Sequence, residues 1–307
     1  MDFRIKQKDH GRLVRDFLRS VGVSAALSAK LKRREEGILL NGSHVTVRAV
    51  LQAGDVLTLA IEDDAPSEKL LPLSVEPDIL RETAHYLVVN KPPFMPTHPS
   101  HGHFTDTLAN ALVYALGNGD TAFRPRFINR LDRNTSGAVL VARHALSAAV
   151  LSRAMAEGAI RKGYLALVKG HVTAGATVQT GIRRREESII FRETCAMDEG
   201  DPALTVMTPL CCSDAVSLVK LEPKTGRTHQ LRVHMAHIGH PILGDELYGE
   251  ADAHMERHAL HAAFLSFPDP VTGEETIIHA PLPEDMAAVL QNTFGEEGSL
   301  LAKAAFC

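Results

Sequence analysis

The sequence predicts an α+β protein with a mixed, largely antiparallel central sheet and flanking helices, preceded by a small N-terminal α/β domain. Two observations predict this class. Strand-like segments outnumber the helical segments between them, which favours antiparallel pairing over a doubly wound parallel sheet. An acidic, proline-containing stretch without periodicity follows residue 61 and predicts a linker. We therefore expect an N-terminal domain at residues 1–61, a linker at 62–79 and a main domain at 80–300.

Composition restricts the class of protein further. The 307 residues are enough for one large and one small domain. The chain contains neither an apolar run long enough to cross a bilayer nor the apolar N-terminal stretch of a signal peptide, so no membrane partner is expected. Its four cysteines form no Cys-x-x-Cys pair, which favours a reducing, cytoplasmic location. Because no heptad repeat is present, we expect a monomer.

Charge is distributed unevenly along the chain. Residues 1–61 carry 11 Lys and Arg against 6 Asp and Glu, whereas the remaining residues carry 22 against 31. A basic module on an acidic body is typical of a protein whose module meets a polyanion. Charge alone leaves RNA, DNA and lipid open as that polyanion.

The N-terminal module is predicted to contain two helices and a hairpin. Apolar residues at helical spacing predict a first helix near residues 13–21. Ser24 is the expected N-cap of a second helix, which Gly37 would end. An Asn-Gly pair at 41–42 between apolar runs predicts a hairpin turn, and residues 56–61 predict a last strand.

Cationic residues cluster on both predicted helices. Two basic helices followed by short strands resemble the small S-four-like RNA-binding domain, named after a ribosomal protein. Ala25 departs from that family, which often has Arg directly after the serine. The resemblance implies that these cations contact RNA, whereas ordinary solvated helix faces are the alternative. The residues concerned are Arg12, Arg15, Arg19, Lys30, Arg33 and Arg34.

The main domain is predicted to consist of strands with fewer helices. A buried-strand pattern at 86–90 stops at a Lys-Pro-Pro run. An Asp-Pro-Val-Thr-Gly run at 269–273 predicts a turn between two strands. The other predicted elements are helices at 105–116 and 145–156 and strands at 138–141, 164–168, 216–221, 261–267 and 275–279.

Residues 130–137 combine a carboxylate with cations and a turn. Asp132 stands between Arg130 and Arg133 and precedes an Asn-Thr-Ser-Gly run. An aspartate between cations is expected to have a lowered pKa and to be an anion. Such an anion suits a nucleophile or a base. A turn residue held by local hydrogen bonds is the structural alternative.

A second dense segment lies at residues 224–237. Leu231 and Ile238 fall on one face of a predicted helix, with Arg227 and Arg232 at and near its start. Backbone amides at a helix N-terminus together with arginines predict a phosphate or carboxylate site. The Lys-Thr-Gly run lacks the spacing of a nucleotide-binding loop, so nucleotide hydrolysis is not favoured.

Seven histidines in two groups raise a metal hypothesis. Zinc requires ligands that converge at about 2 Å, and neither a His-Glu-x-x-His pair nor an acidic partner one turn away is present. Histidines on an RNA-facing helix are the alternative, so we expect no metal. A zinc hydrolase would instead predict stoichiometric zinc. The two groups are His98, His101 and His103, and His229, His234, His237 and His240.

Four ordered blocks resemble the RluA-type family of pseudouridine synthases. The match covers about residues 80–283, and several blocks in order are more specific than any single motif. One departure is Asn129, where the family usually has His before Arg-Leu-Asp. The blocks are residues 86–93 with His98-Pro99, 130–141, 161–170 and 224–249.

The resemblance implies an isomerase that converts uridine to pseudouridine in RNA, with ribosomal RNA as the expected substrate and no cofactor. Asp132 would be the catalytic carboxylate, which either attacks the sugar or abstracts a proton from it. Tyr164 matches the aromatic residue that stacks on the uracil, and Arg232 matches the basic residue that pairs with the aspartate. Arg130 and Arg227 are expected to contact RNA. An RNA-binding protein without catalysis, on a degenerate synthase fold, is the rival hypothesis.

Overall fold

The computed structural model describes residues 1–60, 70–117, 123–186 and 188–306. Within these residues the strands form one sheet of four strands and one of 11. Residues 62–69 of the predicted linker, and the predicted strand end at Ile61, lie outside the described residues.

The small sheet belongs to the N-terminal module. Its strands lie in the order β1-β4-β2-β3, and each pair is antiparallel. Asn41 (φ 51°) and Gly42 (φ 80°) both have the positive φ that a two-residue hairpin turn requires, which confirms the predicted hairpin. The elements of the module are β1 (Asp2–Arg4), α1 (Val14–Ser20), α2 (Ala25–Lys32), β2 (Ile38–Leu40), β3 (Ser43–His44) and β4 (Val56–Leu59).

Helix α2 begins where the sequence predicts but ends earlier. The Ser24 side chain accepts a hydrogen bond of 3.1 Å from the amide of Leu27, which confirms the N-cap. The helix ends at Lys32 rather than at Gly37. Gly37 has a different role, because a Cβ there would lie 2.0 Å from the carbonyl oxygen of Leu31. The glycine therefore permits a close backbone approach and does not stop the helix.

The large sheet is mixed and largely antiparallel, as predicted. Its main path runs β11-β10-β12-β13-β9-β14-β8-β6-β5, with β15 on β14 and β7 on β8. Among its described pairs, β8 and β14 alone are parallel. The strands are β5 (Asp78–Glu82), β6 (Tyr86–Lys91), β7 (Arg126–Phe127), β8 (Ser136–Ala142), β9 (Arg161–Lys169), β10 (Ala176–Arg184), β11 (Arg192–Cys195), β12 (Asp201–Cys212), β13 (Val216–Pro223), β14 (Leu260–Pro268) and β15 (Glu275–His279).

Both faces of the central strands are covered, which explains their continuous apolar runs. In β6, Leu87 and Val89 pack into the larger core, while Tyr86 and Val88 pack into the core on the other face. The helices of this domain are α3 (Leu108–Leu116), α4 (Ala145–Ala156), α5 (Gln230–His237) and α6 (Glu284–Ala304). In the described part of the chain, no helix is long and apolar enough to cross a membrane.

Helix boundaries follow the capping residues. Helix α4 has the predicted bounds, whereas α3 starts three residues later than predicted. Thr107 and Asn110 form a capping box that fixes this start. Helix α6 was not predicted, since a kink at Gly295 interrupts its pattern.

Helix α4 also joins the two domains. Leu146 belongs to the core of the N-terminal module, and the backbone of Gly22 packs against Val150. Near the other end of the helix, the Arg153 guanidinium donates to the carbonyl oxygens of Arg19 (3.3 Å) and Ser20 (2.8 Å). The module is therefore docked on α4 through both apolar and polar contacts.

Candidate active site

A cleft of about 330 Å³ opens between the loop before β8, strand β9 and the turn before α5. It brings together five of the residues that the sequence singled out. Its size falls in the range of sites for small ligands. The predicted residues that line it are Arg130, Asp132, Tyr164, Arg227 and Arg232, and the cleft also contains His98, Asn129, Lys162 and His229.

The loop that carries Asp132 is fixed to its neighbours by backbone hydrogen bonds. Asn129 donates to the carbonyl oxygen of Ala138 (3.2 Å) and accepts from the amide of Leu140 (2.7 Å). The carboxamide thus pairs with β8 in the way that a neighbouring strand would. The departure from the family's histidine therefore has a structural role here. It is no sign of a degenerate site.

Two buried basic side chains, Lys91 and Arg257, donate to backbone carbonyls of the same loop. The Lys91 ammonium donates to the carbonyl oxygens of Pro92 (2.7 Å), Met95 (2.8 Å) and Arg133 (3.1 Å). Burial lowers the pKa of Lys91 to about 7. Arg257 pairs with Asp285 and donates to the carbonyl oxygen of Asn134 (3.0 Å). Both cations bond carbonyls next to Asp132 in the chain, so they fix its backbone position.

The Asp132 carboxylate is faced by groups from α5 and its start. Its Oδ2 lies 3.7 Å from Nη1 of Arg232 and 3.9 Å from Nε2 of His229. Arg133 turns away from it, because its Nε donates to the carbonyl oxygen of Phe94 (3.2 Å). The cation that faces this carboxylate, Arg232, is therefore distant from it in the chain. Its sequence neighbour Arg133 does not face it.

Arg232 has a second carboxylate partner that sequence reasoning missed. Its Nε and Nη2 each donate to Asp245 at 2.7 Å. Its guanidinium also lies over the Tyr248 ring, 5.0 Å from the centroid. Only Nη1 of Arg232 is thereby left to face Asp132.

Tyr164 on β9 is the buried aromatic residue of the cleft. It is 8% exposed and contributes to the larger core. Burial, and then the charge of Asp132, raise the pKa of Tyr164, so the phenol is neutral. The cleft therefore offers the neutral Tyr164 ring and the Asp132 carboxylate side by side.

The turn before α5 is shaped by side-chain hydrogen bonds. The Gln230 carboxamide oxygen accepts from the amide of Arg227 (3.0 Å) and the hydroxyl of Thr225 (2.7 Å). Arg227 is exposed and donates to the carbonyl oxygen of Pro202 (3.0 Å), while Arg130 is exposed at the same cleft. Both predicted RNA contacts thus lie at the cleft.

The predicted RNA-binding cations of the N-terminal module fall into two sets. Arg15, Arg19, Lys30 and Arg33 are exposed. Arg12 donates to Asp9 (2.6 Å) and to the carbonyl oxygen of Asp16 (3.0 Å), and Arg34 donates to that of Ala60 (3.2 Å). The first set lies on the surface of the module, where Arg15 also pairs with Asp16 (3.5 Å), whereas the second set is partly buried and supports the fold of the module.

The histidines of the second group contact different partners. His234 lies 2.9 Å from the Thr205 hydroxyl, His237 lies 3.1 Å from that of Thr194, and His240 lies 3.0 Å from the carbonyl oxygen of Lys169. Within the described ranges, no group of three or more His, Cys, Asp or Glu side chains is placed to hold a metal ion.

The fold and the cleft define an enzyme that places a carboxylate, backed by a guanidinium, beside a planar base. A family model described as RNA pseudouridylate synthase matches residues 85–237. The chain belongs to this family, the RNA pseudouridine synthases, which isomerise uridine to pseudouridine in RNA. The family resemblance seen in the sequence is thereby confirmed.

Individual relatives agree with this assignment. The RNA pseudouridine synthase YjbO of Bacillus subtilis is 38% identical, covering 91% of this chain and 98% of its own. Ribosomal large subunit pseudouridine synthase D of Xylella fastidiosa is 34% identical, covering 82% and 80%. The solved structure of human RNA pseudouridylate synthase domain containing 1 has a TM-score of 0.55 and 32% identity, covering 68% of this chain and 85% of that one.

Proposed function

We propose that the protein isomerises specific uridines of ribosomal RNA to pseudouridine, with Asp132 as the catalytic carboxylate. The observation that carries this proposal is the position of Asp132 in the cleft, 3.7 Å from Arg232 and beside the buried Tyr164. Relatives named as ribosomal large subunit pseudouridine synthases support ribosomal RNA as the substrate.

Binding requires that the target base leave its stack. Unstacking a base costs a few kcal/mol, and less when the base lies in a loop. Stacking on the Tyr164 ring returns roughly 1–3 kcal/mol. The two amounts are similar, so a uridine in a loop is a better substrate than one in a regular helix.

The reaction is an isomerisation, so it needs no oxidant or reductant. The bond from uracil N1 to the anomeric carbon breaks, the uracil turns, and its C5 bonds to that carbon. The proton on C5 is then lost, and N1 is protonated. Asp132 either attacks the anomeric carbon or removes a proton from the sugar. Both roles require the ionised carboxylate. Arg232 lies 3.7 Å from it as the opposite charge.

Residues 1–61 are proposed to serve as an S-four-like RNA-binding domain, followed by a linker at 62–79 and the catalytic domain at 80–300. Strand β5 of the large sheet begins at Asp78 and α6 ends at Ala304, so the catalytic fold extends slightly beyond both of these bounds. The exposed cations of α1 and α2 support RNA contact. Helix α4 connects the N-terminal module with the cleft, because Val150 packs on the module and Met155 lines the cleft. These two positions are about 8 Å apart along the helix axis. This connection supports a fixed position of the module relative to the cleft.

A monomer in the cytoplasm is the form we propose. Cys195, Cys211 and Cys212 are free cysteines, which suits a reducing compartment.

Deletion of the gene tests the substrate. Pseudouridines are mapped in ribosomal and transfer RNA from cells with and without the gene. We expect one or a few ribosomal sites to disappear, to return with the wild-type gene and to stay absent with Asp132→Asn. Disappearance of a transfer RNA site instead would overturn the proposed substrate, and an unchanged set of sites would overturn the proposed function.

A further inference from the structure

His229 is a cleft residue to which the proposed reaction assigns no role. It precedes α5, its side chain is 14% exposed, and its backbone is left-handed with φ 58°. This conformation is uncommon outside glycine, and such residues concentrate at functional sites. It directs Nε2 of the ring to within 3.9 Å of Oδ2 of Asp132.

A hydrogen-bond chain sets which ring nitrogen carries the proton. The Tyr248 hydroxyl oxygen accepts from the amide of Arg192 (2.9 Å) and lies 2.8 Å from Nδ1 of His229. Burial raises the pKa of Tyr248 and lowers the pKa of His229, so both groups are neutral. The Arg192 amide takes one acceptor position of the hydroxyl, which favours donation of the hydroxyl proton to Nδ1. The imidazole proton is then on Nε2, on the side of Asp132.

Arg232 alone does not orient the carboxylate. Its Nε and Nη2 are bonded to Asp245, so a single nitrogen faces Asp132. One contact restrains the distance of a carboxylate but leaves it able to rotate. Oδ2 lies 3.9 Å from Nε2 of His229 and 3.7 Å from Nη1 of Arg232, so both side chains approach the same oxygen.

We propose that His229 is a positioning residue, whose Nε2–H holds Oδ2 of Asp132 together with Arg232 and so presents Oδ1 to the ribose. This inference rests on the proposed function of Asp132. The distances of 3.7 and 3.9 Å exceed the length of about 3 Å of a formed hydrogen bond. Contacts of this kind shorten when a substrate is bound.

The Tyr248 ring packs against both side chains that face Asp132, Arg232 and His229. The ring lies beneath the Arg232 guanidinium and contacts the His229 ring edge-on, with centroids 5.7 Å apart. Loss of its hydroxyl alone removes the group that fixes the His229 tautomer while retaining these ring contacts. Tyr248→Phe therefore removes the hydrogen bonds of the hydroxyl with His229 and with the Arg192 amide, and it keeps the ring under Arg232.

Two substitutions, His229→Asn and His229→Gln, test the Nε2–H donor separately from the left-handed backbone at this position. Asn tolerates the left-handed conformation and keeps a polar group near the Nδ1 position, but it has no group at Nε2. Gln places its amide nitrogen near the Nε2 position. We expect His229→Asn to lower kcat up to roughly hundredfold with little change in KM, because a misplaced reacting group can cost that much. His229→Gln should recover most of the loss.

The assay uses the full chain and in vitro transcribed ribosomal RNA, with rates normalised to the folded fraction from thermal unfolding. Tyr248→Phe should also lower kcat, and combining it with His229→Asn should add nothing further, since both act through one group. Unchanged kcat in His229→Asn, or equally slow Asn and Gln variants, would overturn the inference.

Asp132→Asn is measured in the same assay to keep the two proposals apart. An inactive Asp132→Asn beside a fully active His229→Asn overturns the role of His229 alone. Activity retained in Asp132→Asn overturns the proposed role of Asp132.

Discussion

The Arg232 guanidinium is bonded to the Asp245 carboxylate by two parallel hydrogen bonds of 2.7 Å. Asp245 is buried, and the amides of Leu247 (3.1 Å) and Tyr248 (3.3 Å) also donate to it. Burial opposes the charge on Arg232, but its hydrogen bonds to Asp245 and the nearby carboxylates raise the pKa of Arg232. Asp132 therefore faces a permanent cation whose position is set by another carboxylate.

Asp245→Asn should disable this arrangement without touching the cleft. The buried Arg232 would lose its charged partner, which costs about 3–5 kcal/mol of folding stability. A guanidinium displaced by about 1 Å would lower kcat roughly hundredfold. Denaturant unfolding and a pseudouridine assay measure the two effects. Glu193→Gln is the control, because it removes only the exposed ion pair with Arg183 and should change neither stability nor kcat. Full activity in Asp245→Asn would contradict the role of Asp245.

Tyr164 can be tested for stacking separately from burial. Tyr164→Phe keeps the ring, so kcat/KM should remain close to that of the wild type. Tyr164→Leu keeps an apolar side chain but removes the ring, and should lose about 1–3 kcal/mol in kcat/KM, or roughly 5- to 150-fold. Equal activity of the Phe and Leu variants would show that the ring does not bind the base.

Lys91→Met should loosen the loop that carries Asp132. Three carbonyl oxygens would lose their donor, and leaving a buried acceptor unpaired costs about 1–3 kcal/mol. Both stability and kcat should fall. Lys169→Met is the matched control, because Lys169 bonds the exposed Glu250 and its loss should cost less than about 1 kcal/mol. Equal effects of the two variants would contradict this role of Lys91.

Buried histidines should make the fold sensitive to acid. Burial lowers the pKa of these side chains from 6.5, to about 2 for His258 and about 4 for the others. The unfolded chain therefore binds more protons below pH 6.5, and stability is complete above that pH and falls towards pH 4. Each group contributes about 1.4 kcal/mol per pH unit over its window. The residues are His144, His234, His258 and His261.

Urea unfolding across this pH range measures the slope. His261→Gln should reduce the slope, whereas His101→Gln should leave it unchanged because His101 is exposed. A stability that stays constant from pH 6.5 to 4 would contradict the neutral, buried state of these side chains.

The exposed cations of the N-terminal module should set the salt dependence of RNA binding. Changing Arg15, Arg19, Lys30 and Arg33 to Gln removes four charges from the surface of α1 and α2. The slope of log affinity against log salt should decrease by up to about 3, at roughly 0.7 for each phosphate of single-stranded RNA that a cation no longer neutralises. An unchanged slope would place the RNA-binding surface elsewhere.

The parts of the site whose residues lie close together in the chain were predicted from the sequence. Arg130 and Asp132 lie two positions apart before β8, and Arg227 and Arg232 lie five positions apart at the start of α5. The turn and helix patterns of these two segments predicted their local structure. The resemblance implied one pairing across elements, Arg232 with Asp132, and the other pairings were not predicted. Asp245 meets Arg232 only because the chain turns back after α5, and Lys91 meets the Asp132 loop only through the pairing of β6 with β8.

The missed elements have a similar explanation. Strands β10 and β11 are rich in polar residues, so their pairing along β12 defines them more than their own pattern does. Prolines at 202 and 209 interrupt the pattern of β12, which pairs with β13. The N-terminal hairpin and helix α4 were predicted because Asn-Gly and an uninterrupted helical run are local signals.

The most direct test of the central claim is the reaction of purified Asp132→Asn with in vitro transcribed ribosomal RNA labelled with tritium at carbon 5 of uridine. Formation of the new bond at C5 releases this tritium. We predict release by the wild type and by Asp214→Asn, whose aspartate is exposed outside the cleft. Asp132→Asn should bind the RNA with similar affinity and release none, whereas release at the wild-type rate would contradict the account.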